Sequence, residues 1–222
     1  MRFDDVAADY KQLVDQAVGI SGEETEYFAE YKARYLSRLG PDFSGRVLDF
    51  GCGVGMLSGR LKAHLPEARL DGFDVSDRSL ERVDPRLRAQ GMFTSDAGAL
   101  GHDYALIVVA NVLHHVPPPE RSGLICQLRD RLAPTGRLAI FEHNPANPLT
   151  RLVVERCVFD HDAILLPPAE TAAHQAEVGL RLVRRDYIVF LPRFLAWLRF
   201  CEPWLAWLPL GAQYVIVGTR DA

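Results

Sequence analysis

Apolar positions along the chain fall into two alternating rhythms. Short apolar runs predict strands at Arg46–Phe50, Leu70–Val75, Gly91–Thr94, Asp103–Ala110 and Arg137–Glu142. Between them, apolar residues three or four apart predict helices over Met56–Leu65 (stopped by Pro66), near Asp77–Arg86, and from Pro117 to Leu132. Prolines 117–119 suit a first helical turn, where a missing N–H costs nothing. Alternating strands and helices of this length predict a parallel sheet covered by helices. Ahead of them, Asp5–Leu39 reads as helical. There Ser21 and Glu24 form a capping box that opens a helix through Tyr27, Tyr31 and Leu36. Behind them come a helix near Ala169–Val178 and strands near Leu182–Phe190 and Gln213–Thr219, expected as an antiparallel pair at a sheet edge.

Composition narrows the class. The chain has 222 residues, 48% hydrophobic and 24% charged, which predicts one soluble globular domain and excludes a disordered chain or a disulfide scaffold. A net charge of −4 gives no general attraction to nucleic acid. Cys52, Cys126, Cys157 and Cys201 are widely spaced and contain no C-x-x-C pair, so neither zinc spacing nor a disulfide framework is expected. With an N-terminus, MRFDDVAADYKQ, that lacks an apolar signal core, the expectation is a reduced, cytoplasmic protein. Apolar content is unevenly spread: all three Trp and three of the eleven Phe lie in the segment 190–210. Pro192, Arg193, Arg199, Glu202 and Pro203 interrupt that segment, so it is not expected to span a membrane. Three readings stay open for it: a pair of short core helices, divided at Pro203, closing the sheet edge; a lid over an apolar acceptor; or a surface for membrane or a second copy.

The chemistry concentrates after the first strand. Val47-Leu48-Asp49-Phe50-Gly51-Cys52-Gly53-Val54-Gly55 is a strand, an acid and three alternate glycines. Such a loop brings backbone N–H groups close to a ligand at the positive end of the next helix. The dinucleotide fingerprint G-x-G-x-x-G needs a glycine at position 56, where Met56 stands. Asp74 ends the second strand and can accept hydroxyls of a ribose, and Asp96 follows the third. Three acids at the carboxyl ends of successive strands converge on one crevice, which predicts a nucleoside site.

The segments VLDFGCGVG, GFDVS, SDAGAL, ANVLHHVPP and GRLAIFEHNP, spanning Val47–Glu142, resemble the core of the class I S-adenosylmethionine-dependent methyltransferases. The resemblance implies a Rossmann-like α/β fold with a seven-stranded, mostly parallel sheet, helices on both faces and an antiparallel last strand. It divides a single domain into an N-terminal helical arm (1–44), a cofactor-binding core (45–142) and an acceptor-side half (143–222). It also implies that Gly51, Gly53 and Gly55 take the methionine part of S-adenosylmethionine and Asp49 its amino group. Asp74 would bind the ribose beside Val75, Asp96 and Ala97 would meet the adenine, and Asn111 would line the pocket. Tyr10, in the arm, would lie over the cofactor. EHNPANPLTRLVVERCVFDHDAILL and PLGAQYVIVGTR resemble a bacterial subset of small-molecule methyltransferases.

Methyl transfer needs alignment first and a base only if the acceptor must lose a proton. His114, His115 and His143 follow strands four and five, on the cofactor side, and each is a candidate base or positioning group. Glu142 lies beside them. His64, His102, His161 and His174 are expected to be solvated or structural. Asp160, His161 and Asp162 are adjacent and point different ways, so no metal site is expected. Arg151 could meet an anionic acceptor. The expected function is methylation, most readily on oxygen, of a small, apolar or lipid-like acceptor. The alternatives are a catalytically silent scaffold of the same fold and, disfavoured by Met56, a nicotinamide-dependent oxidoreductase. Nucleic acid is not expected as a partner, and peripheral lipid contact remains open.

Overall fold

The computed structural model describes residues 22–39, 45–157, 160 and 162–220. Ser21, Tyr10 and His161 lie outside these, and with them the capping box, the arm hydroxyl and one of the adjacent metal candidates. The described strands are β1 (Arg46–Phe50), β2 (Arg69–Phe73), β3 (Phe93–Thr94), β4 (Tyr104–Ala110), β5 (Leu132–His143), β6 (Leu180–Ile188) and β7 (Gln213–Arg220). They form one seven-stranded sheet in the order β3-β2-β1-β4-β5-β7-β6. β1 to β5 pair in parallel, and β7 runs antiparallel between β5 and β6. The expected antiparallel edge pair is therefore present, with the last strand inserted inside the edge rather than at it.

The helices are α1 (Thr25–Leu39), α2 (Met56–His64), the single turns α3 (Asp77–Leu80) and α4 (Pro85–Arg88), α5 (Pro118–Asp130), α6 (Pro148–Arg156), α7 (Pro168–Glu177) and the short α8 (Glu202–Leu205). The charged helix expected near Asp77–Arg86 is split because Asp84-Pro85 caps and restarts the chain: Asp84 Oδ1 accepts from Arg86 N–H. Helix α6 was not predicted. Its start is nevertheless marked, since Asn147 Oδ1 accepts from the Leu149 and Thr150 N–H groups with Pro148 in the first turn. Strand β5 begins earlier than its apolar run. Thr135, at φ 63°, lies within a break of register between Tyr104↔Leu132 and Leu106↔Arg137.

Two cores flank the sheet. One face buries Val47, Leu106, Val108, Ala139 and Phe141 under α1 and α2, and the other buries Leu48, Ile107, Val109, Leu138 and Ile140 under α5. Consecutive β4 and β5 residues thus enter opposite cores, which is why these strands read as unbroken apolar runs. The insert 190–210 meets its first expectation in part: two short helical pieces that join beside Pro203 lie at the sheet edge, but their aromatic face is exposed rather than core. A nine-residue 3-10 helix, Arg193–Cys201, leads into α8 with Pro203 in its first turn, and the rings of Phe194, Trp197, Phe200, Trp204 and Trp207 stand in solvent. The insert covers the free edge of β6, where Tyr187 N–H donates to Ala206 O at 2.7 Å. No helix among the described residues is long and apolar enough to cross a membrane.

Candidate functional site

At the carboxyl ends of β1, β2, β4 and β5 opens a cavity of about 940 Å³. Its floor is the Asp49–Val54 turn, its sides are Phe73–Val75 and Ala110–Val112, and α1 and α6 close over it with Phe28, Lys32, Leu149 and Val153. In an open parallel sheet this crevice forms where the strand order reverses, here between β1 and β4.

The turn is built from left-handed backbone. Gly51 and Gly53 have φ of 80° and 52°. A Cβ on Gly51 would come within 2.3 Å of Val112 Cγ2, whereas one on Gly53 would meet nothing within 4 Å. Gly51 is glycine because the chain is crowded there, and Gly53 because its surface faces the cavity. Asp74 holds the loop: its Oδ2 accepts from Gly53 N–H at 2.8 Å and its Oδ1 from Ser76 N–H at 2.9 Å. Asp49 is buried and accepts from Ser58 Oγ at 2.6 Å. Burial lifts its carboxyl to about 6 against that hydrogen bond, and the nearby Asp74 carboxylate adds to the lift. Facing it is a buried cation from α1, Lys32. Burial brings Lys32 down to about 8, while Glu142 and Asp49 hold it up.

The other end of the cavity is a histidine cluster organised by Glu142. This carboxylate is fully buried. Its Oε1 accepts from the Val112 and Leu113 N–H groups at 3.0 and 2.7 Å, and its Oε2 lies 2.6 Å from His114 Nδ1. One acid thereby fixes the whole turn that presents His114 and His115. Asp160 Oδ1 stands 3.3 Å from His114 Nε2 and 3.5 Å from His115 Nε2. Burial alone would drive His114 down, but a carboxylate at each ring nitrogen raises it to about 10, so it is a cation at neutral pH. Glu142 and Asp160 are held ionised below the usual carboxylate range, because His114 outweighs the burial that would raise them. His115 is lowered by burial and by the charge on His114, and is neutral. His143 is lowered to about 4 by burial and by His114. Its Nε2 lies 3.0 Å from Asn111 Nδ2, which donates to it, so the His143 proton sits on Nδ1. Asn111 adopts φ 58°, and its Oδ1 is buried without a hydrogen-bond partner. Its Oδ1 is thus an acceptor with capacity for a donor within the cavity wall.

Of the residues singled out in the sequence, Asp49, Gly51, Gly53, Asp74, Val75, Ala97, Asn111, His114, His115 and His143 line this one cavity. Gly55 and Asp96 are not part of its wall. Gly55 packs toward Val83, and Asp96 is an exposed cap whose Oδ1 accepts from Gly98 N–H. His64, His102 and His174 lie apart from the cavity wall, His64 paired with Glu30 and His174 beside Ser122. Arg151 is exposed and also outside the wall. Sequence reasoning passed over Lys32, although a lysine on the Ala29–Ala33–Leu36 apolar stripe was a signal in a chain with three lysines and 22 arginines. It also gave Glu142 no role and grouped Asp160 with the wrong neighbours. The ring nitrogens of His114 and His115 and an Asp160 oxygen lie within 4.8 Å of one another, a spacing that an ion pair or a divalent ion can fill.

Comparison with known proteins gives the site its context. A family model described as a methyltransferase domain matches residues 24–181. Over 57 residues the chain is 47% identical to the ribosomal RNA small subunit methyltransferase C of Salmonella choleraesuis (strain SC-B67), a match covering 26% of this chain and 17% of that protein. The chain therefore spans only a small part of such curated relatives. Among solved structures, magnesium protoporphyrin IX methyltransferase from Synechocystis PCC 6803 with bound S-adenosylhomocysteine superposes with a TM-score of 0.69 at 18% identity, covering 99% of this chain and 96% of that one. A putative O-methyltransferase from Nostoc punctiforme PCC 73102 gives 0.65 at 18% identity, covering 94% and 60%. With a family match over most of its length and a glycine turn flanked by Asp49 and Asp74 at the reversal point of the sheet, the chain belongs to the methyltransferase-domain family.

Proposed function

We propose that this enzyme transfers the methyl group of S-adenosylmethionine to a hydroxyl of a small, largely apolar acceptor, with His115 as the base. The observation that carries the reading is the division of one cavity into a charged end and a histidine end. At the charged end, Asp49 and Lys32 offer a carboxylate and an ammonium to a group that is itself a zwitterion, the α-amino acid part of the cofactor. The Asp74 oxygens suit its ribose hydroxyls, with Val75 and Ala97 beside the base. At the other end Phe28, Val116, Leu124, Leu149 and Val153 give the acceptor an apolar wall.

The three histidines then divide the work. The Nδ1 of His114 faces Glu142 and its Nε2 faces Asp160, so it is a fixed cation that positions rather than accepts. The lone pair of His143 is taken by Asn111. His115 is neutral and on the wall, with Asp160 close enough to steady the imidazolium that forms. As the acceptor oxygen displaces the neutral thioether in line, His115 takes its proton, and S-adenosylhomocysteine leaves. A small acceptor suits the net charge of −4 better than an RNA does, and four free cysteines suit a cytoplasmic setting. The test is methyl transfer from labelled S-adenosylmethionine to a panel of apolar phenols and hydroxy acids. His115→Ala should lower kcat on the order of 10²-fold with cofactor affinity unchanged. Label carried only to RNA, or equal turnover in the variant, would overturn the assignment.

A further inference from the structure

The insert between β6 and β7 is built inside out. Its two partly or fully buried charged groups point into the protein. Glu202 Oε1 accepts from the Phe190 and Leu191 N–H groups at 3.2 and 3.0 Å, and Arg199 reaches Leu191 O at 2.9 Å and Glu23 at 2.6 Å with its guanidinium 4.2 Å from the Tyr27 ring centre. Tyr187 N–H fastens Ala206 from the other side. These anchors hold the opposite face outward, and that face is apolar. Phe194, Trp197, Phe200, Trp204 and Trp207 are each 67–78% exposed and Leu210 is 60% exposed. A rigid patch of this kind on a chain with a buried core elsewhere marks a contact surface. None of its six side chains lines the cavity, so it is not a lid.

We infer that this face docks on an anionic lipid bilayer. Three features choose that occupant over a second copy of the chain. The first is side-chain type: five aromatic rings with three indoles suit a headgroup boundary, where an apolar ring body is buried and an N–H stays wet. The second is charge. Arg193 is the one charged residue exposed on the insert, so the apolar face itself carries a single positive charge. In a contact between two copies of this face Arg193 would find no exposed acid on the partner's insert, whereas anionic headgroups neutralise it. The third is continuity. Asn147 Nδ2 donates to Leu210 O at 2.7 Å, tying the patch to α6, whose Leu149 and Leu152 are also exposed. Leu149 belongs to the cavity wall, so the apolar surface runs from the tryptophans to the cavity mouth. The inference stands apart from the reading of the acceptor and the base, since it concerns binding alone.

All three tryptophans of the protein lie in this patch, which makes intrinsic fluorescence a reporter of it alone. Vesicles of phosphatidylcholine with phosphatidylglycerol should shift the emission to the blue and co-sediment the protein, and pure phosphatidylcholine vesicles should do so at least tenfold more weakly. Trp197→Ser, Trp204→Ser and Trp207→Ser combined should abolish co-sedimentation, and Arg193→Glu should weaken it about fivefold or more. Both variants should retain wild-type affinity for S-adenosylhomocysteine, which shows that they are folded. Absence of vesicle binding by the wild type, or equal binding by the triple variant, would overturn the inference. So would a dimer in sedimentation analysis that the triple substitution dissociates and vesicles do not displace.

Discussion

Replacing Glu142 by Gln removes one buried negative charge while hardly changing volume. The new side chain keeps an oxygen for the Val112 and Leu113 N–H groups, but its NH2 then meets His114 Nδ1–H donor to donor across the present 2.6 Å contact. Breaking a buried charge pair from one side costs about 3–5 kcal/mol. Asp160 still faces the other nitrogen of His114, which places the expected loss near 3 kcal/mol. That is a large share of a typical total of about 5–15 kcal/mol, and at about 2–4 °C per kcal/mol the melting temperature should fall by about 6–12 °C. The pH dependence has a definite sign. His114 is raised from 6.5 to about 10, so its contribution is complete below pH 6.5 and is lost as pH rises through 10. Glu142 is lowered from 4.5, so its contribution is present above that value and is lost as pH falls below it. The stability gap between wild type and variant, measured by urea unfolding, should therefore be widest at about pH 5.5 and clearly narrower at about pH 9.5. A gap under about 1 kcal/mol at pH 5.5, or one that is constant with pH, would refute the assignment of His114 as a cation held by Glu142.

Cofactor affinity should be flat near neutrality and fall about tenfold per pH unit below 6, as Asp49 takes up the proton that burial favours; a flat titration calorimetry profile down to pH 5 would remove Asp49 from the ammonium contact. Lys32→Met should weaken S-adenosylhomocysteine at least tenfold, since the ammonium facing the cofactor carboxylate is lost; unchanged affinity would leave the cofactor carboxylate without its proposed partner. Gly51→Ala should destabilise the fold by about 1–3 kcal/mol through contact with Val112, whereas Gly53→Ala should cost about 1–2 kcal/mol and weaken the cofactor more than Gly51→Ala does; the reverse order in binding would contradict the orientation given to the loop. Treatment with a chelator should leave turnover unchanged, because His114, protonated at both ring nitrogens toward Glu142 and Asp160, has no lone pair for an ion; loss restored by a divalent ion would make His114, His115 and Asp160 a metal centre.

The sheet was legible because β1, β4 and β5 send alternate residues into two cores and so are apolar through their centres, as in YALIVVA. The charged half of the site was legible for a related reason. Strand ends in a parallel sheet point the same way, so Asp49, Asp74 and the glycine turn had to meet. Asp96 shares that order along the chain but not the destination, because β3 is only Phe93–Thr94 and its acid is spent on capping Gly98. What stayed hidden depends on contacts distant in sequence. Lys32 reaches the cavity only because α1 packs beside α2, and Asp160 reaches the histidines from beyond α6. The insert shows the limit most plainly. Its periodicity announced apolar residues around the axis, but the inward turn of Arg199 and Glu202 rests on Glu23 and on the backbone at Leu191.

The measurement that bears most directly on the account is calorimetric titration of S-adenosylhomocysteine into the wild-type enzyme and Asp74→Ala. The wild type should bind one equivalent. The variant loses the acceptor proposed for the ribose and the anchor of Gly53 N–H, and should bind about 10- to 150-fold more weakly, the range expected for hydrogen bonds to a charged group. Wild-type protein that takes up no ligand, or a variant that binds as tightly as the wild type, would contradict the placement of the cofactor in this crevice.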